Sequence, residues 1–176
     1  MTHETPIETT NLDIYGNAPL DWSRAYDLLL TSIGGIDINY FLGTIRPDGR
    51  PHVAGFGALW FEDALNLVSG PNTQKSKNLA ANPNCTVAVA LDGIDLAMNG
   101  IAERVTDRAK LEDTAKAYRD DGWPAEVDAT GEALIAPFSA PSAGTAPWYL
   151  YRITFDSVTG VATREPNGAT RWRFKH

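Results

Sequence analysis

The chain has 176 residues, 43% of them hydrophobic, and sets 22 acidic side chains against 15 basic ones for a formal charge of −7. That length supports one sizeable core, the acidic balance argues against nucleic acid, whose phosphates select a basic face, and no apolar run approaches the ~20 residues that span a bilayer. The only cysteine, Cys85, excludes an intrachain disulfide framework and fits a cytoplasmic protein, as does an acidic, polar start without the pattern of a signal peptide.

Residues Met1 to Pro19 lack periodicity and are expected to form a mobile tail or an arm over a partner subunit. Residues 20–176 are then a single domain. A helix is predicted from Asp21 as N-cap, with Trp22, Ala25, Tyr26, Leu29, Leu30 and Ile33 on one face and Gly34-Gly35 as its stop. From Asn39 the period becomes strand-like. Tyr40 to Arg46 runs into the turn Pro47-Asp48-Gly49, and Pro51 to Phe61 returns as the second arm of a hairpin. Within that strand Ala54, Gly55, Gly57 and Ala58 leave little side chain on either face. Glycine inside a strand marks a barrel corner or the close approach of something flat, such as a planar ring held by backbone groups. Gly55-x-Gly57 is not a dinucleotide fingerprint, because it lies within a strand and lacks the third glycine.

Glu62-Asp63 turns into a strand from Ala64 to Ser69, and a short helix follows from Thr73, its N-cap, to Ala81, where Asn82-Pro83 stops it. This helix carries Lys75 and Lys77 at its start. A helix N-terminus already bears partial positive charge, so each lysine is unfavourable there by roughly a few tenths of a kcal/mol unless an anion docks beside it. The segment therefore reads as a phosphate seat, with ordinary surface lysines as the bland alternative. Residues two apart do not share a helix face, so Lys75, in the first turn, is the expected contact.

Strands are predicted over Cys85 to Leu91 and Leu96 to Val105 around the hairpin signal Asp92-Gly93, then a helix from Asp107 with Leu111, Ala115 and Tyr118 on one face. Arg119 to Pro147 is rich in Ala, Pro and Gly and long for a bare connection; with Trp123 and Phe138 it suits either a surface excursion or a lid beside a pocket. Trp148 to Asp156 and Ala169 to Phe174 complete six or seven strands. In the last, Arg171 and Arg173 share one face and Trp172 takes the other. The arginines would lie in water or grip an anion across a dimer interface. The three histidines, His3, His52 and His176, have no metal-ligand spacing, and no catalytic acid, base or nucleophile stands out. Neither a metal nor a catalytic residue is expected, which suits an enzyme whose cofactor carries the chemistry.

The ordered set TIRPDGRPHVAGFGALWF, LNLVSGP and QKSKNLAANPNCTVAVAL resembles the flavin-binding split barrels related to pyridoxamine-5′-phosphate oxidase. More closely it resembles their branch that includes reductases using the deazaflavin F420. The resemblance covers about Ile38 to Val105, with a weaker match at the final strand. It implies a mainly β (α+β) fold: a split antiparallel β-barrel with a few peripheral helices. It implies a homodimer that transfers hydride between F420 or FMN, with FAD as a further candidate, and a small organic substrate. Lys75 would contact the cofactor phosphate with Thr73, Ser76 and Lys77 nearby. His52, Val53, Ala54, Gly55, Phe56 and Gly57 would hold the ring through the backbone, and Arg171, Trp172 or Arg173 would approach from the partner. The alternatives are a non-catalytic flavin or deazaflavin carrier, and a haem-binding barrel with Tyr40, His52 or His176 as axial ligand.

Overall fold

The computed structural model describes residues 5–31 and 39–175. The expected helix residue Ile33, the Gly34-Gly35 stop, His3 and His176 lie outside these described residues. The elements are β1 (Glu8–Asn11), α1 (Trp22–Thr31), β2 (Tyr40–Ile45), β3 (Pro51–Phe56), β4 (Leu59–Phe61), β5 (Ala64–Ser69), α2 (Gln74–Ala81), β6 (Asn84–Leu91) and β7 (Ile94–Val105). Then follow α3 (Arg108–Asp120), β8 (Glu126–Val127), β9 (Leu134–Ile135), a 3₁₀ turn at Pro141–Ala143, β10 (Tyr149–Ala162) and β11 (Ala169–Arg173).

All named strand pairs are antiparallel, and they close a barrel. β2 pairs β3, β4 pairs β5, β5 pairs β10, β10 pairs β7, β7 pairs β6, and β6 returns to β2. The circuit closes because β3 and β4 are two halves of one bent strand. The sequence predicts a continuous strand from Pro51 to Phe61; the structure breaks it at Gly57-Ala58, where the chain leaves β2 and turns the corner to β5. Glycine permits that bend without a side chain to relocate.

The split lies in β10. Its first half, Tyr149–Ile153, pairs β5, and its second, Ser157–Val161, pairs β11, with an irregularity between Phe155 and Ser157. A bulge adds local twist and redirects the strand, which is how one strand serves two neighbours. Gly100 faces the irregularity, and a Cβ there would lie 1.9 Å from the Thr154 carbonyl oxygen. Only glycine fits.

The segment expected as a mobile tail or partner arm departs from that expectation in its described part. β1 pairs β11 antiparallel, Glu8 opposite Arg173 through Asn11 opposite Thr170. Ile7 N donates to Arg173 O at 2.8 Å and Leu12 N to Ala169 O at 2.8 Å. The outer edge of β11 would otherwise present unpaired backbone groups, and β1 covers it.

Two apolar clusters fill the fold. Alternation in β6 and β7 sends Val87, Val89, Leu96 and Met98 inward, where they meet Leu42, Leu65, Leu67 and Ile153. On the same cluster α1 lays Trp22, Ala25, Tyr26 and Leu29, its first turn capped by Asp21 Oδ1 accepting from Ser23 N at 3.0 Å. α3 builds the second cluster from Leu111, Ala115 and Tyr118, packed on Leu59, Leu150, Ala125 and Leu134. The 119–147 stretch is thus partly core: Trp123 stands edge-on to Tyr118 at 5.0 Å and meets Trp148 at 5.8 Å.

The β4–β5 turn places Glu62 and Asp63 at φ 50° and 55°. A two-residue hairpin turn of matching twist needs positive φ at both positions, which usually selects Asn or Gly. Two contacts offset the strain: Tyr26 Oη donates to Asp63 Oδ1 at 2.9 Å, and Arg152 Nη2 donates to Glu62 O at 2.6 Å.

Candidate functional site

The site forms at one end of the barrel, where α2 packs across β2 beside the β5 terminus. Thr73 caps α2: its hydroxyl accepts from the Ser76 amide at 3.2 Å, donates to Gly70 O at 3.0 Å and meets Ser69 Oγ at 2.7 Å. That hydroxyl is fully engaged in holding the turn. The cap orients the first helical turn so that Lys75 and Ser76 point into the protein, 2% and 3% exposed, while Lys77 is exposed.

Lys75 is the unusual group. Its Nζ donates to the backbone carbonyl of Ser142, and among the described residues no carboxylate forms an ion pair with it. Burial lowers its pKa from the ordinary 10.5. A buried ammonium with a neutral partner is costly, and an anion at that point would relieve the cost. Beside it Ser76 Oγ is enclosed with no partner in hydrogen-bond geometry, although the Tyr151 phenol is near enough to feel it.

A polar chain links α2 to β3. Gln74 Nε2 donates to Asn78 Oδ1 at 2.7 Å, Asn78 Nδ2 donates to Thr44 Oγ1 at 2.9 Å, and Thr44 Oγ1 lies 3.4 Å from His52 Nδ1. His52 is therefore no free solvent-facing residue. Burial, then the charges of Arg46 and Lys75, depress its pKa below the ordinary 6.5. The unfolded chain then takes up a proton near pH 6.5 before the folded chain does. Stability from this residue is present above that pH and is lost as pH falls through it. Denaturant midpoints of the wild type and His52→Gln, compared at pH 7.5 and 5.5, should show a smaller acid loss in the variant.

The remaining strand residues divide by face. His52, Ala54 and Phe56 share the side of Thr44; Phe56 is buried and its ring lies 6.0 Å from Tyr40. Val53, 63% exposed, and Gly55 take the opposite face with Phe41 and Gly43. A Cβ on Gly55 would meet only Tyr40 O at 4.0 Å, and one on Gly57 would meet nothing. These glycines therefore leave open space beside a strand that, among the described residues, pairs with β2 alone and keeps its other edge unpaired. Tyr40 is 3% exposed and packs within the core cluster.

The C-terminal trio is not brought to this end. Arg171 to Arg173 pair with Thr159 to Ser157, while Ser69 pairs Tyr149, roughly 25 Å away along β10 at the usual strand rise. Trp172 is 1% exposed, packed on Trp22 at 5.3 Å. Arg171 is half-buried, and the exposed Arg173 sits 3.9 Å from Glu8. Two participants carried no signal in the sequence reading: Ser142, whose carbonyl reaches Lys75 from 67 positions away, and Arg46, which bears on His52 from the hairpin turn. The lone Cys85 is buried, its thiol pushed up to about 12, and stays neutral and inert.

Among known proteins, the profile of the family described as pyridoxamine 5′-phosphate oxidase matches residues 39–136, more than half of the 176. A NimC/NimA family protein from Clostridium acetobutylicum superposes at TM-score 0.57 and 18% identity, over 85% of this chain and 90% of its own. A pyridoxamine 5′-phosphate oxidase-related, FMN-binding protein from Nostoc punctiforme gives 0.56 at 13% identity, over 90% and 100%. An F420 reductase is 23% identical over 69% of this chain and 88% of its own, but its TM-score of 0.46 is too low to bear on the cofactor. At these identities the likeness concerns the fold. No curated protein matches the chain.

Proposed function

Since the chain belongs to the pyridoxamine 5′-phosphate oxidase family, we propose that it is an oxidoreductase acting on a small organic substrate with a bound phosphorylated flavin or deazaflavin, F420 ahead of FMN. The cofactor supplies the hydride chemistry. The protein's part is to bind, orient and shield. Lys75 holds the phosphate, with Ser76 Oγ as a second donor, and the residues fit: a buried cation without a carboxylate partner among the described residues and a buried hydroxyl near the Tyr151 phenol lie on one helical turn. The unpaired edge of β3 and the space beside Gly55 and Gly57 take the ring through backbone groups. Among the described residues the ionisable groups bearing on the seat are Lys75 itself, His52, Arg46 and the Tyr151 phenol beside Ser76, whose pKa burial raises. Rate enhancement accordingly rests on holding ring and substrate in contact geometry.

Homodimerisation belongs to the same proposal. One row across the outer sheet face runs Gly55, Phe41, Ala88, Ala97, Thr159, Arg171. Phe41, Ile45 and Val53 remain 47%, 41% and 63% exposed around it. A second copy on this face would cover these apolar groups and bring Arg171 and Arg173 of one protomer towards the other's open strand.

The observation that carries the reading is the buried Lys75, whose ammonium has no carboxylate partner among the described residues. Absorption titration of the purified protein with F420, FMN, FAD and haem tests it, followed by oxidation of the reduced cofactor over quinones, nitro compounds and enones. Saturable binding of F420 or FMN with turnover, by a species sedimenting at twice the chain mass, is the expected result. Binding without turnover would favour the carrier alternative, and a haem spectrum alone would overturn the proposal.

A further inference from the structure

The partner that Lys75 does have is the most telling contact at this end of the molecule. The ammonium bonds a carbonyl of the Pro141–Ala143 turn, which lies against β3 and β5. The same segment is fastened to the base of the seat. Gly70 N donates to Ala143 O at 2.7 Å, and a Cβ on Gly70 would stand 2.8 Å from Thr145 O. Gly144, at φ +74°, lies so close to the cap that a Cβ would be 2.8 Å from Thr73 Cγ2.

We propose that residues 139–145 form a gate over the Lys75 seat, in which the Ser142 carbonyl occupies the place of an anion oxygen and withdraws when the cofactor phosphate enters; the inference rests on the assignment of that seat. Three features suit the segment to exchange. Opening exposes little apolar surface, because Ala143 alone among Pro141 to Thr145 is buried. The swap is favourable at the lysine, since an anion neutralises the buried ammonium as a neutral carbonyl cannot. The flanks are anchored by side chains, whereas the centre is held by Ala143 O on Gly70 N and Ser142 O on Lys75. Trp123 Nε1 donates to Phe138 O at 2.6 Å and Trp148 Nε1 to Gly144 O at 2.8 Å, so two indoles of the second cluster hold each end of the moving part. The closed turn keeps the ammonium satisfied while no cofactor is bound, and it competes with the ligand for one donor.

Hydrogen exchange of the full-length protein, with and without F420, FMN and inorganic phosphate, reads the gate at the Gly70 amide. Exchange there should quicken at least threefold with ligand, while the amides of the α2 interior slow. Gly70→Ala and Gly144→Val each crowd the closed segment and should tighten ligand binding at least threefold. Using both keeps the test decisive if one variant folds poorly. Unchanged Gly70 exchange on saturation, with affinity unchanged or weakened in the folded variant, overturns the gate. In that case weaker binding by Lys75→Met would leave the seat standing. Wild-type affinity in Lys75→Met, or no binding of any of the three probes, removes the seat and the gate together.

Discussion

Lys75→Met is expected to weaken F420 or FMN binding by about 1.5–3 kcal/mol, roughly ten- to 150-fold, the scale of a hydrogen bond to a charged group. Methionine keeps the buried stem of a side chain that is 2% exposed and removes only the ammonium, so the fold should survive. Burial depresses the Lys75 pKa, so the native state holds this charge at a cost. That cost is present while the group is protonated and is relieved as pH rises towards its unfolded value of 10.5. The variant should accordingly be no less stable than the wild type near neutral pH. The Ser142 carbonyl loses its donor at the same time, which loosens the closed turn and trims the net affinity loss towards the lower end of the range. Isothermal titration of both proteins with each cofactor decides the matter, and equal dissociation constants would refute the assigned role. Lys77→Met, at an exposed position one residue beyond Ser76, is the matched control and should bind as the wild type does.

Trp172→Ala should cost about 3–5 kcal/mol of stability, the range for truncating a large aromatic in a packed core. Its indole is 1% exposed, lies 5.3 Å from Trp22, and crosses Gly160 so closely that a Cβ there would fall 2.8 Å from Trp172 Cζ3. Removing it empties the junction of α1, β10 and β11, the strand on which β1 also pairs. Urea denaturation followed by circular dichroism measures the loss. Trp172→Phe, which refills much of the volume, should recover part of it and leave cofactor affinity unchanged. Weaker cofactor binding by a fully folded Trp172→Phe would show instead that the indole serves the ligand. The pairing with two arginines suggested a ligand role in the sequence, because alternation puts Trp172 opposite them. Alternation does not say which face is the core; α1 decides that by laying Trp22 on Trp172.

What the sequence by itself determined here is the set of locally encoded features. Thr73 caps α2, Asp107 caps α3 by accepting from Lys110 N at 2.9 Å, and Asn82 closes α2. The turns at Pro47–Gly49, Glu62-Asp63 and Asp92-Gly93 stand where the Gly, Pro and Asp residues put them, since each depends on backbone conformations available to a few neighbouring residues. The order of these features also sufficed for the family. Tertiary structure alone decided what depends on distant partners. Whether Lys75 is buried follows from how α2 sits on β2, and its neutral acceptor arrives from Ser142, a residue no spacing rule connects to it. The bend at Gly57-Ala58 exists because β4 finds β5, and Glu8–Asn11 forms a strand where β11 offers it an unpaired edge. Such contacts join residues far apart in the chain, and their strength comes from burial and shape, which only the assembled barrel creates.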